Sequence, residues 1–293
     1  MENAGGPIRQ ERGCFTDWVT QRWVQYTGRR VDLREEEWLD GPMGKPAGIG
    51  KNYFVDLAAE LGLDYRVACE GAGLLRDFQE LNGPEFAASE INPSVVHFYE
   101  HTAGYAIDAW AEWCGVFRPF GALLALIFSR RLQQLNVPLS GLDTSRGVTN
   151  DVIILADPAT GNVRYTAWLR ELVGSHDVLY AGVYSTCSVP NRDVKCVKVV
   201  LPLPNGYAAV VLKPQLMDNG ALLLASVGKC FGDPGFYFVT INADCSTSAR
   251  YVRAMQESFY VYCAEESCVR ADHVLKLFGL TFLRLHYRLR PPG

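Results

Sequence analysis

From Asn150 onward the chain alternates short runs of β-branched and aromatic residues with clusters of turn formers. Runs of roughly four to eight such residues between turns pair as strands rather than wind into helices. The candidates are residues 152–156, 163–169, 178–186, 195–201, 207–213, 221–227, 236–241, 259–263, 273–278 and 282–289. Pro204-Asn205-Gly206 and Asp218-Asn219-Gly220 are tight hairpin turns, because Asn-Gly accepts the positive φ that such turns need. A single helix is expected at 249–257. Strands and helices do not alternate, so a parallel nucleotide-binding sheet is not expected.

The first half has a different rhythm. Helical spacing of apolar residues appears at 16–26, 53–61 and around Leu74, Leu75 and Phe78, with a short acidic turn or helix at 31–39. Gly62 is a good terminator for the second of these. Asn92-Pro93 starts a further helix, with Asn92 as cap and Pro93 in its first turn. Its pattern runs through His97, His101, Tyr105 and Asp108 to Trp113, and another helix follows at 120–135. The fold class expected is α+β. A helical N-terminal half, 1–146, precedes an antiparallel β-barrel or strongly curved β-sheet of about ten strands, 147–293. Asp143 to Gly147 forms the junction. The apolar helix near residue 120 needs a partner, so the halves are either two domains or one integrated unit.

A net charge of −4 excludes broad nucleic-acid binding, which needs a positive field. Residues 1–146 carry 20 acids and 14 bases, against 12 and 14 in 147–293, so the second half is only mildly basic. The nine cysteines form no CxxC pair, and Met1 to Gly13 is polar with no apolar leader segment. Reduced thiols and a cytoplasmic location follow, with Cys263 and Cys268 the nearest candidates for a bridge. The most apolar run, 119–128, is about half a membrane span. It reads as a buried helix, or as a helix touching a membrane surface beside Arg130 and Arg131.

Four groups of residues offer chemistry. In 281–290, Leu283, Leu285, Tyr287 and Leu289 share one face, and Arg284, His286, Arg288 and Arg290 the other. The plain reading is an apolar inner face and a solvated outer one. The sharper reading turns the cations inward, where Arg284 and Arg288 would hold a carboxylate or phosphate. His97 and His101 lie four apart on one helix face, but no third ligand follows, so no metal is assigned. Acid–base work by His101 is the alternative to simple packing. Tyr165, Trp168, Tyr184 and Tyr237 fall in strands, where aromatics ordinarily fill cores; in a wide barrel they would line an apolar pocket with polar tips. Lys195, Lys198 and Lys213 fall in strands too, and one turned inward would be a perturbed amine. There is no GxSxG elbow, no GxGxxG after a strand and no kinase set. No cofactor is implied.

The runs Phe128-Ser129-Arg130-Arg131-Leu132-Gln133-Gln134-Leu135-Asn136, Asp143-Thr144-Ser145-Arg146-Gly147 and Phe231-Gly232-Asp233-Pro234-Gly235-Phe236-Tyr237-Phe238 resemble a family of bacterial proteins known only as hypothetical. The likeness covers most of the chain from Lys51 onward. It implies that both halves form one unit and transfers no catalytic residue.

The function expected is binding of a hydrophobic small molecule, fatty-acid-like or polyketide-like, in a barrel-type cavity. Cofactor-independent cyclisation, isomerisation or elimination there would use His101, Tyr184 or His286 as acid or base, with Tyr165, Trp168, Tyr237, Arg284 and Arg288 binding the ligand. A non-catalytic carrier or sensor would show a uniformly apolar pocket instead. A protein-interaction scaffold would show a filled barrel and use Trp18, Trp23 and Trp38 as anchors.

Overall fold

The computed structural model of the protein describes residues 15–45, 52–69, 71–115, 149–171, 178–265 and 268–291. Three α-helices are seen among them: α1 (Phe15–Thr27), α2 (Tyr53–Leu61) and α3 (Pro93–Glu100). The strands are β1 (Arg29–Val31), β2 (Asp64–Val67), β3 (Ala106–Trp113), β4 (Asp151–Ala156), β5 (Val163–Glu171), β6 (Val178–Ser188) and β7 (Lys195–Leu203). They continue as β8 (Gly206–Leu216), β9 (Leu222–Ala225), β10 (Phe236–Ile241), β11 (Thr247–Tyr251), β12 (Met255–Glu265), β13 (Cys268–Leu277) and β14 (Leu280–Arg290).

Strong turn chemistry places the strand ends where the sequence does. Asn205 (φ 56°) joins β7 to β8, and Asn219 (φ 57°) with Gly220 (φ 71°) joins β8 to β9. Asn92 caps α3 by accepting from the Ser94 N–H at 2.9 Å, and Gly62 ends α2 in the left-handed region.

All fourteen strands belong to one antiparallel sheet, in the order β2-β4-β5-β6-β7-β8-β9-β12-β13-β14-β3. β8 is its pivot. It pairs with β7 over Gly206–Leu212, with β10 over Gly206–Val210 and with β9 over Lys213–Leu216. β10 continues to β11 and then β1.

Four expectations are corrected. The sheet is open, not a closed barrel, because its end strands β2 and β3 do not pair. The helices do not make up an N-terminal half either, since β1, β2 and β3 interleave with them and join the sheet. The helix expected to run on to Trp113 stops at His101. Residues 106–113 alternate exposed and more buried positions and pair with β14 along their whole length. The helix expected at 249–257 is instead the end of β11, a turn at residues 252–254 and the start of β12. The expected helix at 120–135 and the junction at 143–147 lie outside the described residues. None of the eight described cysteines is in a disulfide, Cys263 and Cys268 included.

The sheet bends strongly. Arg170 on β5 reaches the Ile107 carbonyl on β3 at 3.5 Å, and its guanidinium lies 6.0 Å from the Tyr287 ring on β14. Inside the bend sit α3 and the turns before it. Phe78, Leu81, Val95, Phe98 and Tyr99 pack there against inward residues such as Trp168, Val210, Leu222, Val269 and Leu289. The outer face is covered by α2 and the Trp38-Leu39 turn, over Ala167, Val183, Val200, Tyr207 and Tyr237. β7 and β8 are therefore buried on both faces, which explains their nearly continuous apolar sequence.

Asn150 ties the two ends of the bend where no ladder closes it. Its amide donates to the Thr102 and Tyr105 carbonyls at 2.7 and 2.8 Å, just before β3. Its own oxygen accepts from the Trp168 indole N–H on β5 at 2.6 Å. Asn150→Ala removes three hydrogen bonds at a half-buried site, and the expected loss is roughly 3 kcal/mol of unfolding free energy in urea. A loss under about 0.5 kcal/mol would show that the tie carries no load.

Candidate functional site

Strand parity decides which residues can meet. On β5, Tyr165 and Trp168 are three apart and face opposite sides. Trp168 joins the inner cluster and Tyr165 packs on the outer one. Tyr184 is inward and Tyr237 outward. The four aromatics expected to line one pocket are thus divided between two layers.

Inside, Trp168 stands 5.6 Å from Tyr180 and 5.9 Å from Tyr184, ring to ring. The two tyrosine hydroxyls hydrogen-bond at 2.8 Å. Gly182 lies between them on β6, and a Cβ there would come within 2.5 Å of Tyr180 Oη. The glycine leaves room for that hydroxyl.

Arg170 follows Trp168 on the same face of β5, opposite Tyr180 in register. It is 5% exposed and has no carboxylate within ion-pair distance among the described residues. Its Nε has no partner, and its hydrogen bond from Nη2 to the Ile107 carbonyl is long. Aromatic faces of Trp168, at 5.5 Å, and Tyr287 flank the guanidinium. Burial pulls its pKa down, against the opposing influence of Tyr287, Tyr184, Tyr180 and Asp108. Burial likewise pushes Tyr184 far up and Tyr287 to about 12, so all these phenols are neutral donors at neutral pH.

A second buried pair adjoins the tyrosines. His273 Nε2 meets Glu257 Oε1 at 2.6 Å, and the Phe259 ring stacks on the imidazole at 3.8 Å. His273 is 7% exposed and its Nδ1 has no partner. The Glu257 charge raises the pKa of both Tyr180 and Tyr287, so the carboxylate shares their surroundings. The arrangement combines an unneutralised cation, three phenols and a carboxylate-held imidazole on one concave wall.

The other residues singled out from sequence lie elsewhere. Arg284 and Arg288 face outward on β14, Arg284 at 4.0 Å from Glu112 and Arg288 opposite Asp108 in register. His286 is on that outer face too, 2.6 Å from Asp272 and stacked on Trp110. His101 ends α3, 3.1 Å from the Gly71 carbonyl, with its ring 4.4 Å from that of His97. His97 is in turn 2.9 Å from the Tyr105 hydroxyl. No group of three or more His, Cys, Asp or Glu suited to a metal occurs among the described residues. Tyr237 is wedged between Trp38, Phe231 and Tyr251. Tyr165 lines an outer cleft of about 480 Å³ with Arg164 and Lys198. Lys198 there donates to the Asp40 and Glu37 carbonyls at 2.7 and 3.4 Å and so caps the Glu37–Leu39 turn. Lys213 pairs with Glu85. Trp38 is buried, whereas Trp18 and Trp23 are exposed.

Sequence reading missed Arg170, Tyr180, Gly182, Glu257 and His273 as a group. One signal was available: Arg170 shares parity with Trp168 in an apolar strand, so it must point where Trp168 points.

The chain is similar to a protein of Bacillus subtilis (strain 168) called uncharacterized membrane protein YndJ, with 26% identity over 242 residues. The match covers 82% of this chain and 41% of that relative, so the chain spans less than half of the relative's length. No family model matches the chain, and no solved structure matches it. These findings agree with the resemblance to bacterial proteins without an assigned function. No helix among the described residues is long and apolar enough to cross a membrane.

A buried guanidinium without an anion destabilises a fold, and an apolar side chain of similar volume relieves that penalty. Arg170→Met is therefore expected to raise unfolding free energy by about 1–4 kcal/mol in the ligand-free protein. A lower midpoint in urea would instead make Arg170 a structural residue.

Proposed function

We propose that the concave wall binds a mostly hydrophobic small molecule bearing an acidic group, fatty-acid-like or polyketide-like, whose anionic end meets Arg170. The observation that carries this reading is the buried guanidinium with no carboxylate within ion-pair distance among the described residues. Such a charge is retained at a cost to stability, and a ligand carboxylate supplies the bidentate partner that its fork fits. Trp168, Tyr180, Tyr184 and Tyr287 offer apolar faces and hydroxyl donors, the usual composition of a small-molecule site. Tyr180, Tyr287, Met255 and Phe259 point inward yet keep part of their surface accessible, which leaves wall for a ligand to touch. The relative from Bacillus subtilis is called a membrane protein, and a lipid-like acid is a ligand that such a setting provides. Unbridged thiols fit the cytoplasmic side.

The Glu257–His273 pair favours catalysis over simple carriage. A carrier needs no carboxylate-oriented imidazole with a free ring nitrogen. Glu257 holds the imidazole, His273 Nδ1 accepts or returns a proton, and the neutral phenols steady the charge that develops. That set suits cofactor-independent isomerisation, elimination or cyclisation.

Native mass spectrometry of protein purified from its own host tests the binding step, with Arg170→Met alongside. A co-purifying acid on the wild type, lost in the variant, is the expected result. The same acid added back should bind the variant at least about tenfold more weakly, as loss of a charge-assisted pair requires. Equal occupancy of both proteins would remove Arg170 from the reading. With the acid identified, His273→Gln should abolish turnover while leaving the adduct in place. Intact turnover would leave only the carrier.

A further inference from the structure

The β13–β14 hairpin carries a residue that folding alone does not favour. Leu277 and Leu280 pair across a two-residue loop, Phe278-Gly279, in which both residues have positive φ (50° and 81°). Asn and Gly are the residues that suit positive φ, and this chain uses Asn205 (φ 56°) between β7 and β8 and Asn219-Gly220 (φ 57° and 71°) between β8 and β9. Here a bulky phenylalanine adopts the left-handed conformation and projects with 81% of its surface exposed. Leu280 beside it is exposed as well. Strain combined with exposed apolar surface points to use rather than packing.

The surroundings indicate the use. A cleft of about 470 Å³ at the base of the hairpin is lined by Phe278, Trp23, Val252, Arg250 and Arg253, and no carboxylate lines it. The guanidinium of Arg250 lies over the Trp23 ring at 5.6 Å. Arg22 is one position from Trp23 on α1, and Lys276 lies opposite Gln256, another residue of the cleft. None of Arg22, Arg250, Arg253 and Lys276 has an acid within ion-pair distance among the described residues. An aromatic and aliphatic tip ringed by unneutralised cations is complementary to a lipid surface. The ring of tryptophan suits the headgroup level, phenylalanine and leucine the acyl boundary, and arginine the phosphates.

We infer that this edge docks on a membrane surface rich in anionic lipids, with Phe278 and Leu280 inserted and Arg250 and Arg253 on headgroups. The site is separate from Arg170 and does not depend on the ligand proposed there.

The test is co-sedimentation of the full chain with phosphatidylcholine vesicles, with and without phosphatidylserine, at low and high salt. Binding is expected only with phosphatidylserine and should weaken as salt screens it. Arg253→Gln should weaken it about fivefold, the equivalent of ~1 kcal/mol per basic residue near an anionic surface. Phe278→Asn creates a favoured turn, so it should melt higher than the wild type while binding vesicles at least about tenfold more weakly. Its higher melting point separates lost docking from lost folding. No sedimentation of the wild type with phosphatidylserine overturns the inference. So does unchanged binding by Phe278→Asn, the result expected if another part of the surface holds the vesicle.

Discussion

β8 lies between two apolar layers, and this burial on both faces governs the rest of the sheet. Its inward Ala208, Val210 and Leu212 meet the layer that contains α3, and its outward Tyr207, Ala209 and Val211 meet the layer under Trp38 and Leu39. A slip of one residue would exchange the two sets. Tyr207 opposes that slip: it is fully buried, and its hydroxyl donates to the Leu39 carbonyl at 2.8 Å. Gly206 opposes it too, because a side chain there would come within 2.1 Å of the Val239 carbonyl. With β8 fixed, β10 and β9 leave from successive parts of its length. The bend they create holds α3 inside and brings β5 towards β14.

Legibility in the sequence followed local signals. The turns at Pro204-Asn205 and Asn219-Gly220 fix their own φ angles, and the strands around them could be read directly. β1 and β2 are short and owe their extension to partners distant in sequence. β3 was hidden for another reason. His97, His101, Tyr105 and Asp108 continue a helical spacing, while Ile107, Ala109, Ala111 and Trp113 hold a period of two. The second pattern prevails because β14 offers a full edge of hydrogen-bonding groups. Local spacing cannot reveal which edge will be free.

The same limit applied to the candidate site. Arg284, His286 and Arg288 drew notice because β14 alternates so cleanly, yet that regularity is what a solvated outer face produces. Arg170, Glu257 and His273 sit on three strands, and the bend of the sheet collects them on one wall. Tyr165 and Trp168 were separable from the start, since an odd spacing within one strand divides them between faces. Parity was legible in the sequence; curvature was not.

Lys198 gives the measure of what is unusual about Arg170. Both are cations on buried strand positions, and burial lowers the pKa of each. Lys198 has the carbonyls of Glu37 and Asp40 turned towards its ammonium, and Asp40 also pairs with Arg164 nearby. The chain thus satisfies a buried cation where the cation serves the fold. Around Arg170 it places ring faces and neutral phenols instead, with a single long hydrogen bond among the described residues from a five-donor group. Phe278 stands in the same relation to Asn205 and Asn219, which hold positive φ in the β7–β8 and β8–β9 connections. In each case the protein contains its own stable solution and uses another. Packing and hydrogen bonding within the chain account for Lys198, Asn205 and Asn219. Packing and hydrogen bonding among the described residues do not account in the same way for Arg170 and Phe278, and the partners proposed for them are an anion within the bend and an apolar phase beyond the hairpin.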